Sequence, residues 1–268
     1  MRIRILTENT VYKRGLLGEH GLSLLIEQDG KRFLFDTGQT DVYVKNAKRL
    51  KEDLTHLDGI IFSHGHYDHC GGLEFFPEET KMPPVYIREN AFEDKRHRRK
   101  TNYDIIGIDW KKEKIEKVMV PTKPVHKICD GFTLLGAIGY ETDFEEKPEG
   151  FFIGEGMRED LMEDEQILVI ETEEGLCLFM GCSHMGIINC IKRVEKEFPN
   201  KHIHSIFAGM HLKGVSKKRL DKTIEELEKV DFDYLIPVHC TGMTAIAKMK
   251  EVFGERCILG EVGKKIEL

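Results

Sequence analysis

The stretch Gly59-Ile60-Ile61-Phe62-Ser63-His64-Gly65-His66-Tyr67-Asp68-His69 runs from an apolar segment straight into three imidazoles and a carboxylate. Imidazole nitrogen and carboxylate oxygen are the donors that a borderline divalent ion such as zinc takes. His64 and His66 stand two apart, so in extended chain both side chains leave the same face and can grip one ion. Asp68 and His69 fall where the chain must turn into Cys70-Gly71-Gly72-Leu73, which frees them for a second ion. The paired glycines let backbone pass close to such a site without side-chain obstruction. The competing reading is a surface histidine cluster, and four ligand-type residues directly behind a buried-looking strand speak against it.

Outward from this stretch, Leu24-Leu25-Ile26-Glu27 and Arg32-Phe33-Leu34-Phe35-Asp36 flank Asp29-Gly30, a dipeptide suited to a tight hairpin. The design returns later, where Leu168-Val169-Ile170-Glu171 and Leu176-Cys177-Leu178-Phe179 flank Glu174-Gly175. Helical stripes follow: Val44, Ala47 and Leu50 within 41–50, then Ile187, Ile191, Val194 and Phe198. Ser216 is expected to cap a helix carrying Leu220, Ile224, Leu227 and Val230, and Thr241 one carrying Ile246, Met249 and Phe253. Segments 203–208 and 234–238 read as buried strands, each running into a histidine, His211 and His239. Ligands placed at strand ends along one sheet edge are how a rigid scaffold positions a site.

H-x-H-x-D-H after a hydrophobic strand resembles the signature of the metallo-β-lactamase superfamily, whose members are mostly dinuclear metal hydrolases. Gly18-Glu19-His20-Gly21-Leu22-Ser23, Asp36-Thr37-Gly38, Gly181-Cys182-Ser183-His184 and His239-Cys240-Thr241-Gly242 are similar to one branch of it. That branch includes archaeal proteins that join a dihydropterin to a ribofuranosylaminobenzene phosphate, along with bacterial relatives of unassigned substrate. The resemblance covers nearly the whole chain and implies an α/β fold of four layers, the αββα sandwich, which the two echoing hairpins match. It also implies two divalent metal ions, zinc first, with iron, manganese or magnesium as alternatives.

No Ser/Gly/Pro-rich linker divides the 268 residues, so a single domain spanning 1–268 is expected, with an insertion at 93–116 as a lid or substrate-binding element. A net charge of −7 argues against nucleic acid as a default partner. Seven cysteines without C-x-x-C pairing describe no disulfide framework, which suits a reducing cytoplasm. The first residues, Met1-Arg2-Ile3-Arg4-Ile5-Leu6, form a short strand pattern with charges inside it rather than a signal peptide. No apolar run approaches the roughly 18 residues of a membrane span. Oligomeric state is not legible.

Two ions need more ligands than one loop holds. In the family pattern a third histidine joins His64 and His66, an acidic residue bridges, and a last histidine joins Asp68 and His69; His239 matches the last role by order. The middle of the pattern departs, because 141–165 contains no histidine and the second hairpin ends in Gly181-Cys182 where Gly-Asp is usual. His184 is therefore read as the third imidazole. Cys182 is read either as a thiolate replacing the bridging carboxylate or as a small buried residue. Asp36 is expected to hydrogen-bond a ligand histidine and His20 to line the mouth. His56, His97, His126, His202 and His204 lack such context.

The resulting expectation is a hydrolase in which a metal-bound hydroxide attacks a small, phosphorylated metabolite, Asp68 orienting the water and His211 stabilising the departing charge. One alternative is a transferase that joins a dihydropterin diphosphate to an arylamine ribose phosphate with release of diphosphate. The other is a non-enzymatic metal-binding protein. Within the insertion, the basic run Lys95-Arg96-His97-Arg98-Arg99-Lys100 offers a phosphate clamp, and Tyr103 or Trp110 a stacking face for a pterin-like ring, against the blander reading of a solvated charged surface.

Overall fold

The computed structural model describes residues 1–268. In chain order the first elements are β1 (Arg2–Thr7), β2 (Ser23–Gln28), β3 (Lys31–Phe35), α1 (Val42–Leu50), β4 (Gly59–Ile61), α2 (Tyr67–Cys70) and β5 (Val85–Ile87). Seven strands follow without an intervening α-helix: β6 (Lys95–Arg98), β7 (Tyr103–Ile105), β8 (Met119–Pro121), β9 (Val125–Cys129), β10 (Phe132–Leu135), β11 (Phe151–Ile153) and β12 (Arg158–Glu159). The rest are β13 (Ile167–Glu171), β14 (Leu176–Met180), α3 (Ile187–Glu197), β15 (Ile203–Ala208), α4 (Lys217–Leu227), β16 (Phe232–Pro237), α5 (Met243–Phe253) and β17 (Lys265–Glu267). They gather into two compact units, one of residues 1–122, 149–164 and 260–268, the other of 123–148 and 165–259.

The first unit is built on a seven-stranded sheet in the order β17-β1-β2-β3-β4-β5-β8. Asp29 and Gly30 both take positive φ (51° and 72°), the backbone twist that closes β2 onto β3 as a two-residue hairpin. From β3 the chain crosses through α1 and continues parallel into β4, β5 and β8. Leu25, Leu34, Ile60, Phe62 and Val85 line the core beside Tyr43 and Ala47 of α1. Residues 95–105 and 151–159 form a separate four-stranded sheet in the order β12-β11-β6-β7, so the expected insertion is a hairpin paired with a distant segment.

Trp110 corrects one expectation. It is 6% exposed, packs on Phe62 and Phe92 (centroids 6.2 and 5.7 Å) and donates its Nε1–H to the Cys70 carbonyl at 2.8 Å. An indole that is enclosed and hydrogen-bonded in this way is core and presents no face for a ligand ring. Tyr103 stays on the surface, edge-on to Phe152.

The second unit carries a six-stranded sheet in the order β16-β15-β14-β13-β10-β9. The succession of the first unit is repeated: antiparallel β10-β13-β14, then crossovers through α3 and α4 into parallel β15 and β16. Phe179 and Phe207 stack across the parallel pair at 4.8 Å. Ser216 caps α4 as expected, its hydroxyl accepting the Arg219 N–H at 3.2 Å. Thr241 does not cap α5, whose N-cap is Gly242. The Thr241 hydroxyl instead lies 2.8 Å from the Val238 carbonyl and accepts the Met210 N–H at 3.1 Å, stitching together the loops after β15 and β16.

Candidate metal centre

In the first unit the side chains project from the C-terminal ends of β3 and β4. Asp36 ends β3 with φ 56°, and its fully buried carboxylate organises the next loop. It accepts the Ser63 N–H and hydroxyl, both at 2.7 Å, and meets His69 Nδ1 at 2.6 Å. That contact fixes the His69 ring with Nε2 left for a ligand, the carboxylate–histidine arrangement of metal sites. Ser63 Oγ also lies 2.9 Å from His64 Nδ1, which turns the His64 Nε2 outward to within 3.0 Å of His66 Nδ1. Two imidazole nitrogens this close hold a shared proton or a shared ion; tetrahedral zinc–nitrogen bonds would set them about 3.3 Å apart.

Burial pushes the His66 imidazole down to about 3, with the Lys95 ammonium adding to the effect. Its ring is therefore neutral at physiological pH, as metal ligation requires. Phe151 stacks on it at 5.8 Å. Asp68 is 7% exposed, and the half-exposed His20 reaches its carboxylate at 3.2 Å. Glycine is obligatory at position 65, because a Cβ there would sit 2.1 Å from the Ala91 carbonyl oxygen.

A buried ion network braces this loop. The Gly65 N–H donates to Asp164 at 2.7 Å, and Lys95 joins Asp164 and Asp160, both at 2.8 Å, with all three side chains no more than 2% exposed. Burial disfavours the Lys95 charge, but the two carboxylates outweigh it and hold its pKa above the ordinary lysine value. The Tyr67 N–H donates to the Ile106 carbonyl at 2.9 Å, so the small sheet supports the loop at two points. Of the rest of the basic run, Arg96 pairs with Asp94, Arg99 with Asp104, and Arg98 lies over the Phe152 ring.

In the second unit the side chains project from the ends of β14, β15 and β16. Cys182, His184 and His211 bring their donor atoms within 4.8 Å of one another, as do Cys182, His239 and Cys240. Glu165 anchors the His184 loop by accepting the N–H groups of His184 and Met185 at 2.7 and 2.9 Å. The His184 and His211 rings lie 4.5 Å apart. Ser183, His211 and His239 have φ of 50°, 46° and 52°, left-handed backbone that non-glycine residues rarely adopt and that clusters at functional sites. Burial raises the Cys240 thiol, but Cys182 and His211 beside it and the His239 ring pull it well below its ordinary value. Cys70, by contrast, is pushed well above its ordinary range by burial.

The expected residues thus assemble within each unit: His20, His64, His66, Asp68 and His69 in the first, Cys182, His184, His211 and His239 in the second. Sequence reading missed Cys240, Lys95, Asp164 and Glu165 in these surroundings. Cys240 stood beside His239 in a quoted stretch, but one cysteine outside any C-x-x-C spacing carries no pattern. Lys95 opened a basic run and read as exposed.

A family model of the metallo-beta-lactamase superfamily matches residues 17–160. The chain belongs to the metallo-β-lactamase superfamily. It is 34% identical to the 7,8-dihydropterin-6-methyl-4-(beta-D-ribofuranosyl)-aminobenzene-5'-phosphate synthase of Methanocaldococcus jannaschii, over 91% of this chain and 88% of that one. A second, uncharacterized protein of the same organism is 34% identical over 98% and 99% of the two chains. The crystal structure of Tm1679, a metal-dependent hydrolase of the beta-lactamase superfamily, superposes with a TM-score of 0.85 at 32% identity, covering 100% of this chain and 99% of that one. The αββα fold expected from the motif stands with these matches. The donor chemistry fits the divalent metals that superfamily members bind: buried imidazoles, a carboxylate-oriented histidine and buried sulfur.

Proposed function

We propose that the protein is a metal-dependent hydrolase with a dinuclear centre, acting on a small phosphorylated metabolite in the cytoplasm. The observation that carries the reading is the buried His64–His66 pair, with facing nitrogens 3.0 Å apart, beside a His69 already oriented by Asp36. His64, His66, Asp68 and His69 of the first unit and Cys182, His184 and His239 of the second would be the metal ligands. Zinc suits this mixture of nitrogen, oxygen and sulfur donors. When bound, such ions lower the pKa of a water toward neutrality and draw charge from a phosphate or acyl oxygen.

Around that chemistry the chain's own groups have definite work. Asp68 accepts a proton from the attacking water and orients it, and His20, 3.2 Å from the carboxylate, keeps Asp68 in place. His211 would supply the leaving group with a proton. Seven cysteines, none of them in a disulfide, support a reducing compartment. No helix is long and apolar enough to cross a membrane.

A second reading is favoured by the relative named as a synthase, which matches over most of both chains. In it an arylamine nitrogen attacks the carbon bearing a diphosphate, the carbon–oxygen bond breaks, diphosphate leaves with the electron pair and the nitrogen releases a proton. Product analysis separates the readings. The metal-loaded protein is given a dihydropterin diphosphate with and without an arylamine ribose phosphate, beside a panel of phosphate esters. Ester turnover, or arylamine-independent loss of diphosphate, supports hydrolysis, and a coupled product replaces it with transfer. Bound metal with no turnover on any substrate would leave a metal-binding protein.

A further inference from the structure

We propose that Cys240 is a sulfur ligand of the centre, so that Cys182, Cys240 and His239 form a thiolate-bearing donor set for a thiophilic divalent ion. The inference rests on the metal-dependent reading above and adds the chemistry of one side of it.

Four observations converge on the Cys240 sulfur. Its donor atom lies within 4.8 Å of those of Cys182 and His239, and all three residues are buried. No disulfide ties up either cysteine. The His211 N–H donates to Cys240 Sγ at 3.2 Å, an acceptor role that a metal-bound thiolate keeps, while the thiol proton that metal binding would displace points to the Cys182 carbonyl at 3.6 Å. Space is also kept clear for it: a Cβ on Gly209 would stand 2.9 Å from this sulfur and 2.1 Å from the Gly181 carbonyl oxygen.

The backbone argues in the same direction. The donors come from the loops after β14 and β16, the loop after the intervening β15 supplies the His211 N–H, and each of these three loops holds one residue in left-handed conformation, Ser183, His211 or His239. Such strain costs of order 1–3 kcal/mol per residue and persists where surrounding structure enforces it. Thr241 and the Gly209–Gly181 backbone bond (2.9 Å) supply that enforcement. A cysteine that merely filled space would need neither the strained neighbours nor the glycine beside its sulfur. Soft sulfur selects zinc, cobalt or cadmium over magnesium, which takes oxygen donors.

The test is cobalt substitution of the full-length protein, stripped of metal by chelation and titrated anaerobically with Co²⁺ alone. Thiolate ligation gives an intense near-ultraviolet sulfur-to-cobalt charge-transfer band, absent from purely nitrogen and oxygen sites. Cys240→Ser is expected to remove about half of that band and the Cys182→Ser, Cys240→Ser double variant all of it, with the visible cobalt bands from histidine ligands retained. X-ray absorption of the zinc-loaded unmodified protein needs no variant and should show two sulfurs at about 2.3 Å. A charge-transfer band unchanged in Cys240→Ser, or a zinc shell without a second sulfur, overturns the assignment and leaves the metal-dependent reading standing. Failure of the unmodified protein to bind cobalt or zinc at all overturns both.

Discussion

In the first unit an antiparallel hairpin hands over to parallel strands whose ends present histidines steadied by carboxylates; in the second the same succession presents two cysteines and three histidines. The position after the hairpin shows the difference best. After β3 stands Asp36, which spends its charge on Ser63 and His69. After β14 stand Gly181 and Cys182, with no carboxylate, and Glu165 accepts the backbone N–H groups of His184 and Met185. One sheet plan supplies strand ends, and the residues at those ends decide which ions they suit. The first loop is held by a charged network, the loops of the second by Glu165, Thr241 and the Gly209–Gly181 backbone bond.

If charge is what holds the first loop, Lys95→Met should be the most damaging change there, because it leaves Asp160 and Asp164 buried without their cation. We expect a loss of about 3–5 kcal/mol in urea unfolding. The triple variant with Asp160→Asn and Asp164→Asn should recover much of it. A loss below about 1 kcal/mol for the single variant would erase the contrast between the two loops.

Asp36→Asn tests orientation rather than folding. It keeps the shape but weakens the hold on His69 Nδ1, and metal affinity should fall about 10–100-fold in competition with a chelator. An unchanged affinity would mean that the His69 ring needs no carboxylate to aim it.

Acid supplies a third test of the first loop. His66 titrates at about 3 when folded and at about 6.5 when unfolded, so between these values the unfolded chain binds the extra proton. Stability of the metal-free protein should be complete above about pH 6.5 and fall as pH drops toward 3, by at most about 1.4 kcal/mol per pH unit from this group. In His66→Gln that component of the slope should vanish, as read from denaturant midpoints across the window.

Much of this was legible in one dimension. The motif from His64 to His69, both hairpins, the buried strands at 203–208 and 234–238 and the Ser216 cap are local patterns, in which a few consecutive residues carry both the periodicity and the chemistry. Trp110 and Thr241 went the other way. An indole in a polar, charged stretch reads as exposed, and a threonine before a helical stripe reads as a cap, until distant backbone is seen to claim their polar atoms.

By itself the sequence determined the family, the histidine loop and the strand-end placement of His211 and His239, because each rests on spacing along the chain. Only the tertiary structure decided that Lys95 is a buried brace for that loop rather than a surface cation, and that Cys240 stands with Cys182 and His239. Burial and ion pairing depend on residues dozens of positions apart whose spacing follows no period, so no local pattern records them.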